Sequence, residues 1–582
     1  MLGPQYRIKK FRKEIEPQEI LLDRLSHQKE KELGIRQKKL ETPIPQRVLK
    51  GFWIVVLILI FILFGKTFQF QIIQGKVYSE LAEKNKFVGL SLRAERGVIY
   101  DRNFRQLVFN KARFDLICRD EVFLEDLSHQ DLIFFKSRLN DFPDCEIKSH
   151  TLREYLGGGT LSHLLGYVRS TGEKTGLESY YNKILEPELG EVKIERDAHG
   201  NVISREIIRF PQSGKSLVLW LDYGLQEKMA AVLERQVLNS GAKGAAAVAL
   251  DPQTGGVLAL VSYPTFDHNL FSQGISEREW QELREEEGNP FFNRAVSGVG
   301  YPTGSTIKPL IGLAALEEGI IGPDQQIDCP LEICVQNPWY PGKKDCYADW
   351  KYHGSSDLRR AIAESVNTFF YQVGGGYQGL KGLGAAKIKQ WLERFGWGFK
   401  TGIDLPEEGQ GILPVLDQSW TLGNTYHLSI GQGPFSIVPL QVAAAFVAIA
   451  NGGKIFQPQI VKKVIDSEMN FIREMPPKVL KNISVSPENL EVVRQGMRQA
   501  VTTPDNPPVI LNGLPVPVAA KTGTAQTGRE GFYHNWVTVF GPYQDPQIVL
   551  TIVIENVPGT QTAALPAAQE ILAWYFSSAV EN

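Results

Sequence analysis

Apolar and polar residues alternate along this chain in three different ways. Gly51 to Gly65 (GFWIVVLILIFILFG) is one unbroken apolar run, and Val48-Leu49 and Thr67-Phe68 extend it past Lys50 and Lys66. Those two lysines can reach the membrane interfaces with their amines, which leaves about 20 residues, enough for one bilayer crossing. A core helix would carry a polar stripe, and this run is apolar on every face. A removable signal peptide would end in a small-x-small site, and the following KTFQFQIIQG has none. The expectation is a single uncleaved transmembrane helix over 47–70, behind a tail (1–46) with a helix from Ile15 to Leu33 and a Pro-containing linker, Glu41 to Pro45.

Beyond the span the pattern shortens. Gln71 to Phe87 has helical spacing. Arg93 to Asn103, followed by Leu107-Val108-Phe109, alternates around a Gly and an Asp-Arg-Asn turn, which predicts strand, turn and strand. Residues 110–215 mix short strands and helices with many charges, and Gly157-Gly158-Gly159 marks a loop. Residues 71–215 therefore read as an irregular α+β pedestal with no catalytic constellation.

From Leu217 the periods become long and clean. LVLWLDYGLQEKMAAVLERQV predicts a strand leading into an amphipathic helix. GAAAVALDPQTGGVLALVSYP predicts a hairpin turning at Asp251 to Gly256. Three more strands are expected in VPVAAKTGTAQ, HNWVTVFGPY and IVLTIVIENV, with a closing helix in AALPAAQEILAWYF. The intervening 290–510 looks mostly helical. Strands from both ends of 216–582 with helices inserted between them predict an α+β domain, an antiparallel sheet covered by helices.

Charge adds direction to this outline. Residues 1–50 hold thirteen Lys/Arg, and no acidic residue lies between Glu41 and the span, so the positive-inside rule places the tail in the cytoplasm and the remainder outside. A net charge of −2 over 582 residues gives no reason to expect a nucleic-acid partner. Of the five cysteines, three fall between Cys329 and Cys346. One local disulfide or buried free thiols both fit that spacing.

The candidate chemistry lies in three separated strings. Ser305-Thr306-Ile307-Lys308 follows a Pro-Thr-Gly turn, which puts Ser305 at a helix N-terminus with Lys308 one turn on, on the same face. Serine needs a base in contact to act as a nucleophile, and Lys308 can be that base only if burial or neighbouring cations hold it neutral. Ser365-Val366-Asn367 supplies a hydroxyl for proton relay and an amide for a substrate carbonyl, with an N-cap role for Ser365 as the competing reading. Lys521-Thr522-Gly523-Thr524 lies on a strand. Lys521 and the hydroxyls of Thr522 and Thr524 suit a carboxylate, Gly523 admits an extended substrate, and the Thr524 N–H suits an oxyanion. Each string alone arises by chance in a chain of this length. Their order and flanks together indicate acyl transfer through a serine ester, the signature shared by β-lactamases and penicillin-binding proteins. Asp328, Cys329, Asp345, Cys346, Asp349 and His353 crowd together without matching a zinc spacing, so neither metal nor cofactor is expected. His534, beside the Lys-Thr-Gly strand, reads as a packing or substrate-shaping residue.

With these strings in place the chain resembles the class B penicillin-binding proteins over residues 48–578, and within them the penicillin-binding protein 2 branch. Arg96 to Asn103, Gly166-Tyr167-Val168, Thr175 to Glu178, Asn293-Arg294-Ala295, Gly431-Gln432-Gly433, Pro439-Leu440-Gln441 and Lys521 to Gln526 carry the likeness. The resemblance implies a β-lactamase-like transpeptidase domain on a partner-contacting pedestal, anchored in the cell membrane with its catalytic domain outside. It also implies cross-linking of peptidoglycan stem peptides ending in D-Ala-D-Ala, trapping by β-lactams, and work beside a SEDS-type membrane glycosyltransferase in wall elongation and cell shape. This sequence departs from the pattern in places. Asn367 stands where Asp is typical, as in division-type relatives, and Phe104 replaces the usual Gly after the Asp-Arg-Asn turn. Val366 replaces a cysteine that helps bind zinc in some relatives, so Asp349 and His353 do not carry that site over. His534-Asn535-Trp536 and Gln526 favour elongation over division. A D,D-carboxypeptidase, with water replacing the acceptor amine, and an inert β-lactam-binding scaffold or sensor remain as alternatives.

Overall fold

In the N-terminal part, Gln46–Phe68 forms one α-helix that continues as a wider π-turn over Gln69–Ile73, with no residue buried. At about 1.5 Å per residue the α-helical part alone is long enough to cross the roughly 30 Å hydrocarbon core. A computed structural model describes residues 28–29, 31–34, 45–119, 121–197, 201–337, 339–559 and 562–578. They divide into two compact units, one of 1–89 with 193–206 and one of 90–192 with 207–582. The tail helix expected from Ile15 to Leu33 lies outside the described residues, except that 28–29 and 31–33 are helical. The helix expected after the span starts later than its apolar spacing implied, at Gly75, and runs to Lys86.

In the larger unit, the expected strand-turn-strand at the front of the pedestal is present as Ile99–Tyr100, a turn, and the long strand Val108–Cys118. Asp101 makes the turn: its Oδ1 accepts the N–H groups of Asn103 and Arg105, both at 2.8 Å. Val108–Cys118 pairs antiparallel with Cys145–Tyr155 along its full length, and a disulfide joins the facing residues Cys118 and Cys145. A buried carboxylate ties these pieces together. Glu178, fully buried, accepts from Arg96 Nε and Arg153 Nε at 2.7 Å each. Arg153 also donates to Asn110 Oδ1 and the Gly97 carbonyl, both at 2.7 Å. Two cations and a full set of hydrogen bonds are what make a buried carboxylate tolerable.

Ile99–Tyr100 pairs parallel with Ser216–Leu219, which pairs in turn with Val461–Ile465, so pedestal and catalytic residues share one four-stranded sheet. The strand-to-helix step expected from Leu217 is present, with the helix Tyr223–Ser240 capped by Asp222, whose carboxylate accepts from the Leu225 N–H. The main sheet has five strands: β1 (Gly244–Leu250), β2 (Val257–Tyr263), β3 (Ala519–Gln526), β4 (Phe532–Gly541) and β5 (Ile548–Pro558), in the antiparallel order β2-β1-β5-β4-β3. Both faces are covered. Ala245, Ala247 and Ala249 face a core with the helices Tyr223–Ser240 and Ala564–Ser578, while Ala246, Val248 and Leu250 face the larger helical layer. Double-sided burial is why β1, β2 and β5 read as continuous apolar runs rather than alternating ones.

The 290–510 segment supplies the expected helices, among them α1 (Lys308–Glu317) and α2 (Asn367–Gly375). It also holds short strands that the mostly helical reading missed: Ile327–Cys329 with Gly354–Ser356, the hairpin Glu332–Gln336/Lys344–Ala348, and two pairs between Lys454 and Asn482. A disulfide joins the facing Cys334 and Cys346 across the hairpin, and Cys329 is a buried free thiol. Strands of three to five residues are too short for their period to register in sequence.

Phe104, which follows the Asp-Arg-Asn turn, sits at φ 62°, in the left-handed region. A bulky residue there costs about 1–2 kcal/mol. Its ring recovers part of this under Lys463, whose Nζ is 4.5 Å from the centroid. Phe104→Gly is expected to stabilise the protein by about 1 kcal/mol, once the backbone entropy of glycine is set against the relieved strain. The thermal unfolding midpoint should rise; a fall would mean the ring contacts outweigh the backbone.

Candidate active site

Proline explains the geometry of the nucleophile turn. Pro309 has no N–H to return to the Ser305 carbonyl, so the Lys308 N–H bonds it instead, and Gly304–Ile307 winds as a 3-10 turn before α1 begins. Ser305 therefore precedes the α-helix by one tight turn, where helix dipole and free N–H groups favour developing negative charge. Two neighbours fix the turn from outside. Trp536 Nε1 on β4 donates to the Pro302 carbonyl at 2.9 Å, and the Tyr301 hydroxyl donates to Glu555 on β5 at 2.9 Å.

Backbone meets backbone on the inner side. A Cβ on Gly304 would lie 2.5 Å from the Thr524 carbonyl, and one on Gly431 would lie 1.9 Å from the Gly304 carbonyl. The Gly304 N–H donates to the Gly431 carbonyl at 2.9 Å, and Gln432 Nε2 donates to the Thr524 carbonyl at 3.3 Å. The Lys-Thr-Gly strand, the nucleophile turn and the Gly431-Gln432 loop thus pack at glycine distance. Gly523 belongs to this contact, since its Cβ would lie 2.6 Å from the Thr303 carbonyl and 2.9 Å from the Thr306 methyl. The reason for glycine at 523 is the turn behind the strand rather than a substrate in front of it.

Ser365 and Asn367 arrive from the break between the helix Leu358–Ala363 and α2. Ser365 takes φ 57°, which allows the chain to reverse there. The N-cap of α2 is Val366, so Ser365 is not the cap. A first-turn amide is instead held by Asp349, whose Oδ2 accepts from the Thr368 N–H at 2.8 Å and the Thr368 hydroxyl at 2.9 Å. His353, whose Nδ1 lies 3.0 Å from Glu364 Oε2, belongs to an ionic cluster with Arg360 and Lys351. Burial opposes the charge on Glu364, but Arg360, His353 and Lys351 outweigh it and bring the carboxyl down to about 2.

The predicted lysines converge on Ser365. Lys308 Nζ donates to the Ser365 carbonyl at 2.6 Å and to Asn367 Oδ1 at 2.7 Å, and lies 3.3 Å from Ser365 Oγ. Lys521 Nζ donates to Ser365 Oγ at 3.0 Å and to the Thr522 carbonyl at 2.9 Å. Both side chains are buried. Burial first, and the Lys521 charge second, push Lys308 well below the usual lysine range, with Asp349 opposing. Burial takes Lys521 to about 7. Lys308 Nζ thus touches three oxygens, the Ser365 carbonyl, Asn367 Oδ1 and Ser365 Oγ, and the depressed pKa favours the neutral form that can accept a proton.

Ser305, Ser365, Asn367, Thr522, Gly523 and Thr524 all line one cleft of about 520 Å³, with Trp350 and Gln432 on its rim. All eight residues singled out in the sequence are therefore brought together, with Lys308 and Lys521 forming the buried floor. Lys521 meets Ser365 rather than open cleft, so the carboxylate reading falls to the threonines. Sequence reasoning missed Asp349 as the support of α2, because nothing in its local pattern points to a helix 18 residues on. His534 packs as expected, its ring 5.0 Å from that of Tyr301, and burial lowers it to about 4, leaving it neutral. Burial pushes the Cys329 thiol up to about 12, so it is an inert core sulfur. Among the described residues, the His, Cys and acidic groups close enough to share an ion are Glu332, Cys334 and Cys346, and the disulfide has consumed both sulfurs.

Comparison with known proteins agrees in extent and in kind. Residues 245–574 match the penicillin binding protein transpeptidase domain, and residues 118–219 match the penicillin-binding protein dimerisation domain. The chain is 29% identical to the peptidoglycan D,D-transpeptidase MrdA of Haemophilus influenzae over 93% of each chain. To the protein of the same name from Salmonella typhimurium it is 30% identical, over 90% of this chain and 95% of the relative. Among solved structures, penicillin-binding protein 2 of Helicobacter pylori, in a complex with MreC, superposes with a TM-score of 0.72 at 27% identity, covering 85% of this chain and 99% of that one. The nucleophile turn, the two buried lysines and the domain matched around them agree: this chain belongs to the penicillin-binding protein transpeptidase family.

Proposed function

We propose that this protein is a peptidoglycan D,D-transpeptidase of the wall-elongation type, working through an ester on Ser305. The observation that carries the reading is the buried Lys308 amine, held against Ser365 and Asn367 and pushed well below the usual lysine range by burial and by Lys521. Ser305 Oγ attacks the carbonyl of the penultimate D-Ala and gives its proton to Lys308. The tetrahedral oxyanion rests against the N–H groups of Ser305 and Thr524. As the C–N bond breaks, the proton passes from Lys308 through Ser365 to the departing amine of the terminal D-Ala. Lys521 donates to Ser365 Oγ, which leaves the Ser365 hydrogen free to move on. The acceptor amine of a second stem peptide then runs the sequence in reverse and frees Ser305. With Asn367 Oδ1 held by Lys308, its amide NH2 is the donor for a substrate carbonyl. Thr522 and Thr524 face the cleft to take the substrate carboxylate.

The 47–70 helix anchors the chain in the cell membrane, with 1–46 cytoplasmic, 71–215 as pedestal and 216–582 as transpeptidase outside. Two features support this orientation: thirteen Lys/Arg in residues 1–50, and the cross-strand disulfides Cys118–Cys145 and Cys334–Cys346, which suit an oxidising compartment. Stem peptides ending in D-Ala-D-Ala and β-lactams are its ligands, and a SEDS-type glycosyltransferase its membrane partner.

Labelling the full chain with a fluorescent penicillin, resolved on a denaturing gel, tests the central claim. The wild type should give a stable covalent band and Ser305→Ala none. A band of equal intensity in the variant would place the nucleophile elsewhere, and rapid loss of the wild-type band would indicate a β-lactamase.

The pH dependence of acylation follows from Lys308. Its folded pKa is depressed, so the lysine is neutral and competent above that value, and the labelling rate should climb with pH and then level off. Asn367→Asp would set a carboxylate where Oδ1 now lies, 2.7 Å from Nζ. This favours the ammonium and raises the pKa by about 1–3 units. The acid limb of the rate profile should move to higher pH by that amount. An unmoved limb would remove Lys308 as the base.

A further inference from the structure

A second cavity, of about 320 Å³, lies between the inner face of the hairpin Glu332–Gln336/Lys344–Ala348 and the segment 418–423. Aromatic rings and polar side chains line it together: Trp339, Tyr347 and Trp420 with Gln336, Gln418 and Asp345. It adjoins the catalytic cleft along two routes. Trp350, three residues beyond Tyr347, lines that cleft. The Tyr347 ring also lies 5.6 Å from that of His427, whose carbonyl accepts from the N–H of the cleft residue Gln432 at 2.9 Å.

The hairpin holds aromatic surface out in water. Trp339 is 70% exposed, Tyr340 61% and Trp350 59%. Rings of this size normally contribute by being buried, so a row of exposed ones marks a surface built to be covered. Their positions are also fixed. Asn337 Oδ1 accepts from the N–H groups of Trp339 at 2.8 Å and Tyr340 at 2.9 Å, while Asn337 Nδ2 donates to both oxygens of Asp345 at 3.0 Å. The Cys334–Cys346 disulfide clamps the strands below. Gly423 leaves the room that Tyr347 needs, since a Cβ there would lie 2.2 Å from its hydroxyl.

We propose that this cavity and the exposed hairpin aromatics form a glycan subsite that holds the N-acetylated sugar strand bearing the stem peptide. The inference rests on the reading of the chain as a peptidoglycan transpeptidase. A pyranose ring has an apolar C–H face that stacks on a flat aromatic ring and a rim of hydroxyl and acetamido groups that hydrogen-bond to amides and carboxylates. The cavity offers both kinds of partner side by side. The charged residue among those lining the cavity is Asp345, whose two oxygens accept from Asn337 Nδ2 at 3.0 Å. The lining therefore presents rings, amides and a hydroxyl that suit a neutral sugar and, among the described residues, no cation to take a peptide's carboxylate. A strand of five residues spans about 15 Å, so a glycan laid from Trp339 towards Trp350 delivers its attached peptide to Ser305.

The test is titration of the detergent-solubilised full chain with the tetramer of N-acetylglucosamine, and in parallel with a free stem pentapeptide. The tetrasaccharide should bind, and Trp339→Ala and Gln418→Ala should each weaken it at least tenfold while leaving the fluorescent-penicillin labelling rate at the wild-type value. Cross-linking of polymeric glycan should fall in both variants. No binding of tetrasaccharide by the wild type, or equal binding by Trp339→Ala, overturns the proposal. A pentapeptide whose binding depends on Trp339 where the tetrasaccharide's does not overturns it in favour of a peptide groove. Failure of the wild type to label with penicillin would count against the transpeptidase reading, independently of the sugar titration.

Discussion

Keeping an ammonium out of water costs several kcal/mol unless it is paired, and the centre of this protein is arranged so that Lys308 is not paired. Its neighbours are two carbonyl oxygens, a hydroxyl and a second buried lysine. The nearby carboxylate that might have stabilised the charge, Asp349, is spent on the Thr368 N–H and hydroxyl and on the Trp350 N–H. The same residue therefore supports α2, and its pull on the Lys308 charge is outweighed by burial and Lys521. With Asn rather than Asp at 367, the amine finds hydrogen-bond acceptors without a counter-ion. The depressed pKa of Lys308 is thus a property of the packing around it.

That packing depends on how closely three backbone segments approach. The turn before Ser305, the Lys-Thr-Gly strand and the Gly431-Gln432 loop meet at Gly304, Gly523 and Gly431, where a single methyl group would lie within 3 Å of main-chain atoms. A backbone that touches backbone has few ways to relax. Relative positions of Ser305 and Thr524 are consequently set by the sheet and α1 rather than by side-chain rotamers, which is the preorganisation that oxyanion stabilisation requires.

Much of this was legible because the informative signals are contiguous in the chain. β1, β2 and β5 are buried on both faces and so appear as nearly unbroken apolar runs. The three motif strings carry their chemistry in three or four adjacent residues. What stayed hidden depends on partners distant in sequence. Asp349 looks like part of an acidic and sulfur-rich cluster until α2 is placed beside it. The bond between Cys118 and Cys145 spans 27 residues and follows from a register that only the paired strands define. Gly523 reads in the sequence as room for a substrate, whereas the group that crowds it is the Thr303 carbonyl, which the sequence sets 220 positions earlier. Phe104 was visible as a departure from relatives, and its left-handed backbone gives that departure a physical meaning.

The strand order of the main sheet has a consequence for biosynthesis. β5 lies between β1 and β4, and it is built from Ile548–Pro558, close to the end of the chain. Until those residues have been made, β1 and β2 form a hairpin with an open edge, and the β3-β4 pair has no strand joining it to that hairpin. The smaller sheet is similar, since Ser216–Leu219 waits for Val461–Ile465. Contacts this distant are slow to form and leave apolar edges exposed meanwhile. A chain stopped before residue 548 would carry every catalytic motif yet lack the strand that joins the two halves of the sheet holding them.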